Sequence, residues 1–464
     1  MGQLIVNAPR WLLLATLAYA PWAYGATRQW AIVGLNYLLG AMLGLWLVSY
    51  LLRQGWPSVH PVLAVSALGL AAQAWFMVIN AKYDYDNARH EFIPLTPLLS
   101  WAPGSLHRSL SATKAIQLSA ILAAVCVVCD LARSAVWRKR LLLTLALTGT
   151  SVVLLGLAQR LSNASSVFWG PENMGKTFFA TYRYHANAGA FMNLVWPIVA
   201  GFVVLAFLRG SALWKKILWT MALVLCLAGV IANTSRAAGA LGFLSAALWV
   251  GWLTCQLVRG RLEGFTGASV VVTALLVVVL VVAVAALAGL DTTLKRWGQF
   301  DREVTDQNGR LLVARVCLDM IPVAGWWGFG PGTFETTFPY FTQAFGNKLD
   351  GRWLYAHQDY LQTLIEWGYI GACCWAVLVF GAVFYSLFRA LRRRRHRHHD
   401  PHQRQRDRER LSPSARVTHF ALLVALAGVL LHALVDFPLQ IASIQLYVAV
   451  VLGLLWGSQH WLGE

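Results

Sequence analysis

An all-α, polytopic integral membrane fold is what this sequence predicts, and three observations carry the prediction. Of its 464 residues, 58% are hydrophobic and 12% are charged, against about 25% charge in an ordinary soluble domain. Apolar runs recur along the whole chain, and about twelve are of the ~20-residue size that crosses ~30 Å of hydrocarbon as a helix. One long polar segment, Asp291 to Glu366, is bracketed by the apolar runs Gly264–Leu290 and Trp367–Phe388. A segment of that size between two spans lies outside the lipid. A β-barrel would instead show alternating segments of about ten residues.

Taken in order, the expected spans are 11–25, 30–52, 60–80, 113–132, 141–158, 187–208, 217–233, 237–257, 268–290, 367–388, 419–436 and 442–462. The first is short and contains Pro21. After Arg10 it continues toward the second without a small-residue cleavage site, so no cleavable signal peptide is expected. The whole chain, 1–464, reads as a single transmembrane domain with a large loop, 291–366, between helices 9 and 10. Six of the seven cysteines fall in apolar runs. Cys126-x-x-Cys129 is spaced like a redox or zinc motif, but its neighbours are valine and alanine, so packed small side chains are the expectation.

The net charge of +18 would suggest nucleic acid in a soluble protein. No nucleic-acid-binding motif accompanies it, and more than half of the Lys and Arg fit the cytoplasmic side of one topology. With the N terminus inside, that side collects Arg10, Arg53, Arg133–Arg140, Arg209–Lys216, Arg259, Arg261 and the arginine-rich loop 389–417. The 291–366 loop then faces outward, to the periplasm of a bacterial cell. The 389–417 loop, with its histidines, reads as a solvated cytoplasmic segment that also meets anionic membrane lipid.

The other outward segments are 81–112, a re-entrant or surface-lying piece; 159–186, which contains Tyr182, Arg183, Tyr184 and His185, followed by Asn187; the short Asn233–Arg236 turn; and the hairpin Asp436–Gln440. No internal repeat is visible, which weighs against an inverted-repeat transporter.

Three residues stand out for chemistry. Arg236 lies between two long apolar runs, in IANTSRAAGALGFL, where it opens a helix. An arginine there either snorkels or meets an anion, and helix N-termini favour anions. Arg310 and Arg315 lie in NGRLLVARVCLDMI, which reads as an amphipathic interfacial helix. They are ~140° apart by the helical period, and Arg310 is favoured because it follows Gly309 at the helix start. An arginine fork suits phosphate better than an ammonium. His357 is the one histidine of the large loop, a natural general base, with Asp359 and Glu366 as groups that could orient it. No carboxylate cluster suited to a divalent cation is evident. Asp84 and Asp86 come nearest, and a solvated loop is the expectation for them. No metal or other cofactor is expected, and there is no nucleophile elbow or phosphate-binding P-loop.

The order Thr-Ser-Arg236-Ala at a span mouth, Gly-Arg310 opening an outer helix, Gly-Phe-Gly-Pro-Gly-Thr-Phe within 322–334, and His357-x-x-Tyr-Leu-x-x-x-x-Glu-x-Gly resembles the O-antigen ligase/polymerase superfamily of bacterial membrane glycosyltransferases. TYRYHANAGAFMN at 181–193 resembles the family's lead into a middle helix, so the resemblance covers roughly 180–370. One departure is Gln358, where members often have asparagine. The resemblance implies a GT-C-like helical fold in the bacterial inner membrane and metal-independent inverting glycosyl transfer. It also implies a glycan donor linked to undecaprenyl diphosphate and a lipid A-core or other glycan acceptor. On that reading Arg236 and Arg310 hold the diphosphate and His357 takes the acceptor's proton. Arg315, Tyr182, Arg183, His185, Asn187, Tyr360 and Glu366 are then candidates for substrate contact. An O-antigen ligase is the first expectation. The alternatives are a Wzy-like polymerase, a ligase that glycosylates protein, and a small-anion transporter.

Overall fold

The computed structural model describes residues 2–175, 177–260, 267–288, 290–298, 309–343, 346, 349, 351–395 and 412–462. The chain is a helical bundle. Its helices are α1 (Gly2–Trp22), α2 (Gln29–Arg53), α3 (Pro61–Ile79), α4 (Arg108–Leu131), α5 (Ala135–Leu161), α6 (His185–Leu208), α7 (Leu213–Ala232), α8 (Arg236–Val258), α9 (Gly267–Leu287), α10 (Leu290–Gly298), α11 (Gly309–Ala324), α12 (Phe334–Thr342), α13 (Asp359–Arg395), α14 (Pro413–His432) and α15 (Ala442–Trp456). Among the described residues, ten helices are long and apolar enough to cross a membrane. The two remaining expected spans are helices as well: α1, and α9 with its shorter apolar stretch Thr273–Leu287. The segment 81–112 holds a small antiparallel hairpin, β1 (Tyr83–Asp86) with β2 (Glu91–Pro94), and no membrane span. The expectation of a solvated loop at 389–417 falls largely on residues 396–411, which lie outside the described residues; 389–395 continue α13 as helix.

Local signals set several helix ends. Pro61 and Pro413 sit in the first turns of α3 and α14, where a missing N–H costs nothing. Ser235 and Ser412 cap α8 and α14, accepting from the backbone N–H of Ala238 and Ala415. Two helices form the centre. α6 packs against α5, α7, α8 and α14, and α15 packs against α4, α13 and α1. Small residues let these helices approach closely. Gly189 lies against Ala238 and Asn233, and Gly453 lies against Val128, the pattern that van der Waals packing favours where lipid supplies no hydrophobic drive. A second, smaller core outside the bundle joins Val316, Met320, Phe329, Phe334, Phe338 and Ile365.

The feature that positions the site is a break in α13. At Gly368 the backbone turns to φ 62°, ψ −170°, a region that only glycine enters freely. Residues 359–367 thus form a separate outer half-helix. A break frees backbone groups that a low-dielectric surrounding cannot solvate. The Gly325–Gly330 loop supplies the missing partners. Phe329 and Gly330 N–H donate to the carbonyls of Ile365 and Glu366, at 2.9 and 3.1 Å; Tyr369 and Ile370 N–H donate to those of Gly325 and Trp326, at 3.2 and 3.1 Å. From α3, Gln73 Nε2 donates to the carbonyls of Trp327 and Trp367. The Gly/aromatic stretch noted in the sequence is the brace of this break.

Candidate active site

His357 ends the segment that leads into the outer half-helix. Its backbone is left-handed, φ 52°, an uncommon state for a side chain of this size and one that surrounding structure must enforce. The enforcement is visible on both sides. Trp353 and Phe437 flank the imidazole, with ring centroids 5.6 and 4.7 Å away, and the next residue pair is pinned by Asp359 N–H donating to the Ala433 carbonyl at 2.9 Å.

His357 Nδ1 lies 3.1 Å from Asp436 Oδ1. Asp436 is buried and sits past the end of α14 at His432, in the turn before α15. Its other oxygen, Oδ2, accepts from the Tyr184 hydroxyl at 3.1 Å and lies 3.8 Å from the Arg310 guanidinium. Arg310 Nη2 donates to the Tyr184 hydroxyl at 2.7 Å, and Nη1 faces the Val435 carbonyl at 3.5 Å. Tyr184 stacks on Phe437, the two planes 6° apart. Imidazole, carboxylate, phenol and guanidinium therefore form one connected cluster.

Burial alone would push the Asp436 carboxyl up. The His357 hydrogen bond and the Arg310 charge outweigh it and hold the group below the ordinary carboxylate range. Burial, then the charge of Asp436, pushes the Tyr184 phenol up, so it keeps its proton as a donor. With Asp436 facing Nδ1, the tautomer carrying the proton there leaves a lone pair on Nε2. No hydrogen-bond partner of Nε2 is found among the described residues, and the His357 side chain is 22% exposed. The Arg310 side chain is 56% exposed, so an incoming anion has access to its guanidinium.

Arg236 opens α8, half-buried, at the same end of the bundle. Its turn is stitched to the residue after Tyr184. Asn233 Nδ2 donates to the His185 carbonyl at 3.1 Å, while Asn233 Oδ1 accepts from Ser235 N–H at 2.7 Å. Thr234 takes φ 67° to make the turn.

The remaining sequence candidates divide. Tyr182 was expected at the substrate; it is wholly buried, its hydroxyl 3.0 Å from Ser443 Oγ, which donates on to the Gly25 carbonyl. It is a core residue. Asn187 is buried in the first turn of α6, its Oδ1 without a partner among the described residues. His185 begins α6 with its ring beside Tyr184. Arg183 turns outward and pairs with Glu172 at 3.0 Å. Arg315 is exposed on the stripe of α11 that carries Leu311 and Leu318. Tyr360 donates to the Leu430 carbonyl at 2.7 Å.

Glu366 and Asp359 do not orient His357, because each carboxylate is turned into a different brace. Glu366 accepts from Gly332 N–H at 2.9 Å and from Gln362 Nε2 at 3.0 Å, fixing the Gly-Pro-Gly turn. Asp359 accepts from Leu439 N–H at 2.8 Å and Gln440 Nε2 at 3.0 Å. It thereby anchors the turn that carries Asp436, one step behind the imidazole. Asp84 is likewise engaged, accepting from both the N–H and the hydroxyl of Ser109. Among the described residues no three His, Cys, Asp or Glu converge as metal ligands would.

Sequence reasoning missed Asp436. The available signal was its isolation: it is the one acidic residue between Arg416 and Leu462, at the mouth of two apolar runs, where an ionisable group is costly and so marks a functional candidate.

Behind the outer half-helix lies a cavity of about 350 Å³. Its polar end is formed by Lys114, Asp359, Glu366 and Gln440, and its apolar walls descend to Phe380 and Leu452 within the bundle.

Residues 221–376 match the family model described as O-Antigen ligase. The match spans Arg236, Arg310 and the His357 turn; Tyr184 and Asp436 lie outside it. No curated protein matches the chain.

Proposed function

We propose that this chain, with ten helices long and apolar enough to cross a membrane among its described residues and a match to the O-Antigen ligase family model over 221–376, is a transferase of the O-antigen ligase/polymerase superfamily and within it an O-antigen ligase. It moves glycan from undecaprenyl diphosphate to a lipid A-core acceptor by metal-independent inverting transfer, on the periplasmic side of the inner membrane. The observation that carries this reading is the part-exposed imidazole of His357, backed at Nδ1 by buried Asp436, whose other oxygen faces Arg310.

In the reaction, Nε2 takes the proton of an acceptor hydroxyl as its oxygen attacks the anomeric carbon from the face opposite the phosphate. The bond from that carbon to phosphate oxygen breaks, and the diphosphate leaves with the electron pair. Asp436 holds the ring in the required tautomer and offsets the charge it gains, the role an acid plays behind a catalytic histidine. Arg310 and Arg236 neutralise the departing diphosphate with charge-assisted hydrogen bonds. Tyr184 and Asp436 hold the Arg310 fork in place before substrate arrives, so little reorganisation is needed during the step. The polyprenyl chain of the donor lodges along the apolar walls of the cavity behind the half-helix, whose polar end is built partly from the neighbours of His357 and Asp436.

The test separates binding from transfer in purified full-length protein reconstituted in lipid, with a lipid-linked donor. Each charge-assisted bond contributes about 1.5–3 kcal/mol, so Arg236→Ala and Arg310→Ala weaken binding of undecaprenyl diphosphate tenfold or more. His357→Ala leaves that binding nearly intact and slows transfer ~10²–10⁴-fold. Near-normal transfer by His357→Ala sinks the assignment. Activity lost to chelator and regained with Mg²⁺ or Mn²⁺ sinks the metal-independent mechanism. In cells, a deletion that leaves bare core and free polymer on lipid supports a ligase; single repeats on core indicate a polymerase.

A further inference from the structure

The opposite end of the bundle carries a second built cavity, of about 310 Å³. It opens where α5 begins, α6 ends and α14 begins, the end that the Lys/Arg bias assigns to the cytoplasm. Arg138, Lys139 and Arg209 line its mouth together with the hydroxyls of Ser412, Ser414 and Thr418. Arg209 Nη2 donates to Ser414 Oγ at 2.9 Å, and Arg138 Nη1 donates to the Ala132 carbonyl at 2.7 Å, so two of the cations are held in place. Deeper in, the walls are Leu142, Ile198, Phe202 and Leu205. Small side chains close the floor of the cleft: Gly201 faces Ala421, and a β-carbon on Gly201 would lie 3.3 Å from that of Ala421.

Among the described residues, no carboxylate lines this cavity. Asp130, a nearby acid in the chain, is already engaged by Arg133, Tyr50 and Trp46. A cationic, hydroxyl-bearing rim above an apolar cleft between spans matches a molecule with an anionic head and an acyl tail. Basic pockets between spans at this face recognise anionic lipid headgroups.

We propose that this cavity binds an anionic glycerophospholipid. Its phosphate sits among Arg138, Lys139 and Arg209, and one acyl chain descends between α5 and α6. The site is separate from the His357 cluster, with the length of α6 between them.

The experiment is native mass spectrometry and thermal unfolding of the full chain in phosphatidylethanolamine nanodiscs, with and without phosphatidylglycerol or cardiolipin. Wild-type protein is expected to retain the anionic lipid and to unfold at higher temperature with it. Arg138→Gln/Lys139→Gln/Arg209→Gln should weaken that retention at least tenfold. Lys215→Gln/Lys216→Gln/Arg259→Gln, which removes equal charge from the same end but outside the cavity, should retain it. Equal loss in both triple variants overturns the site in favour of a diffuse surface charge effect. Unchanged binding in the first triple variant overturns it outright. Displacement of the lipid by millimolar inorganic phosphate would show a free-phosphate site and overturn the lipid assignment. If the first triple variant does not fold, Arg209→Gln and Ser414→Ala are measured singly, and unchanged retention in both counts against the proposal.

Discussion

Asp436 and Glu366 are both buried acids at the outer end of the bundle, and they serve different ends. Glu366 spends its oxygens on Gly332, Phe334 and Gln362, all within the brace that it completes. Asp436 accepts from the adjacent Phe437 N–H, but its other partners are a part-exposed imidazole and, through Tyr184, an exposed guanidinium. The difference teaches that burial of an acid does not identify its role. What matters is whether the hydrogen-bonded chain leading from it ends at a group that substrate can touch.

The sharpest way to break this comparison is to neutralise each acid in place. Asp436→Asn is expected to cut transfer ~10²–10⁴-fold, the scale of a lost acid–base group, with membrane insertion unchanged. Combining it with His357→Ala should cost little more than His357→Ala alone, because members of one catalytic unit are non-additive. Additive losses in the transfer assay would show that the pair does not act as a unit. Glu366→Ala should do the reverse. Leaving its buried N–H partners unsatisfied costs ~1–3 kcal/mol each, read as a lower unfolding midpoint, while transfer per folded molecule stays within about threefold. A hundredfold loss of transfer at unchanged stability would move Glu366 into the chemistry.

Tyr184→Phe sharpens the comparison from the other side. It removes a donor to Asp436 and an acceptor for Arg310 while keeping the stack on Phe437. A net neutral hydrogen bond contributes about 0.5–1.5 kcal/mol, so a loss of up to about tenfold in transfer is expected, shared between donor binding and rate. No change in either would remove Tyr184 from the connected cluster.

The smallest expected effect is on acid stability. The folded Asp436 carboxyl titrates below its ordinary value. Its contribution to stability is therefore fully present above the unfolded carboxylate value of about 4 and is lost as pH falls through the folded value. Asp436→Asn should remove that part of the acid limb when unfolding midpoints are compared between about pH 5 and pH 3. An unchanged acid limb would place the dependence on other carboxylates.

What the sequence revealed follows from the range of each signal. The spans were legible because each is a continuous apolar run, and every expected run is found within or across a helix. Arg236, Arg310 and His357 were legible as local exceptions: an arginine at a span mouth, an arginine after a helix-starting glycine, a lone histidine in a loop. The partnership of His357 with Asp436 spans 79 positions, and bonds from Asp359 and Tyr360 tie the two segments together. No local period encodes it. Tyr182 was misread because it shares a stretch with Tyr184, and in that irregular segment composition does not say which ring turns inward. The hairpin at 83–94 was hidden by the prolines and charges of its surroundings, which read as surface.

The brace at the α13 break also bears on how this protein can vary. Its bonds run from backbone to backbone, so they fix spacing and leave side-chain identity open at Trp326, which is 68% exposed even though its carbonyl is one of the acceptors, but not at Gly328 and Gly330, where a β-carbon would run into Glu366 and Ser105. The stretch from Gly325 to Gly330 therefore behaves as a ruler. Substitutions at its outward positions leave the four cross-bonds standing. Inserting or deleting a single residue shifts the register and orphans the carbonyls and amides on both sides of Gly368 together. Length is the constrained quantity in this loop, because it sets where the half-helix that follows the His357 turn begins and ends.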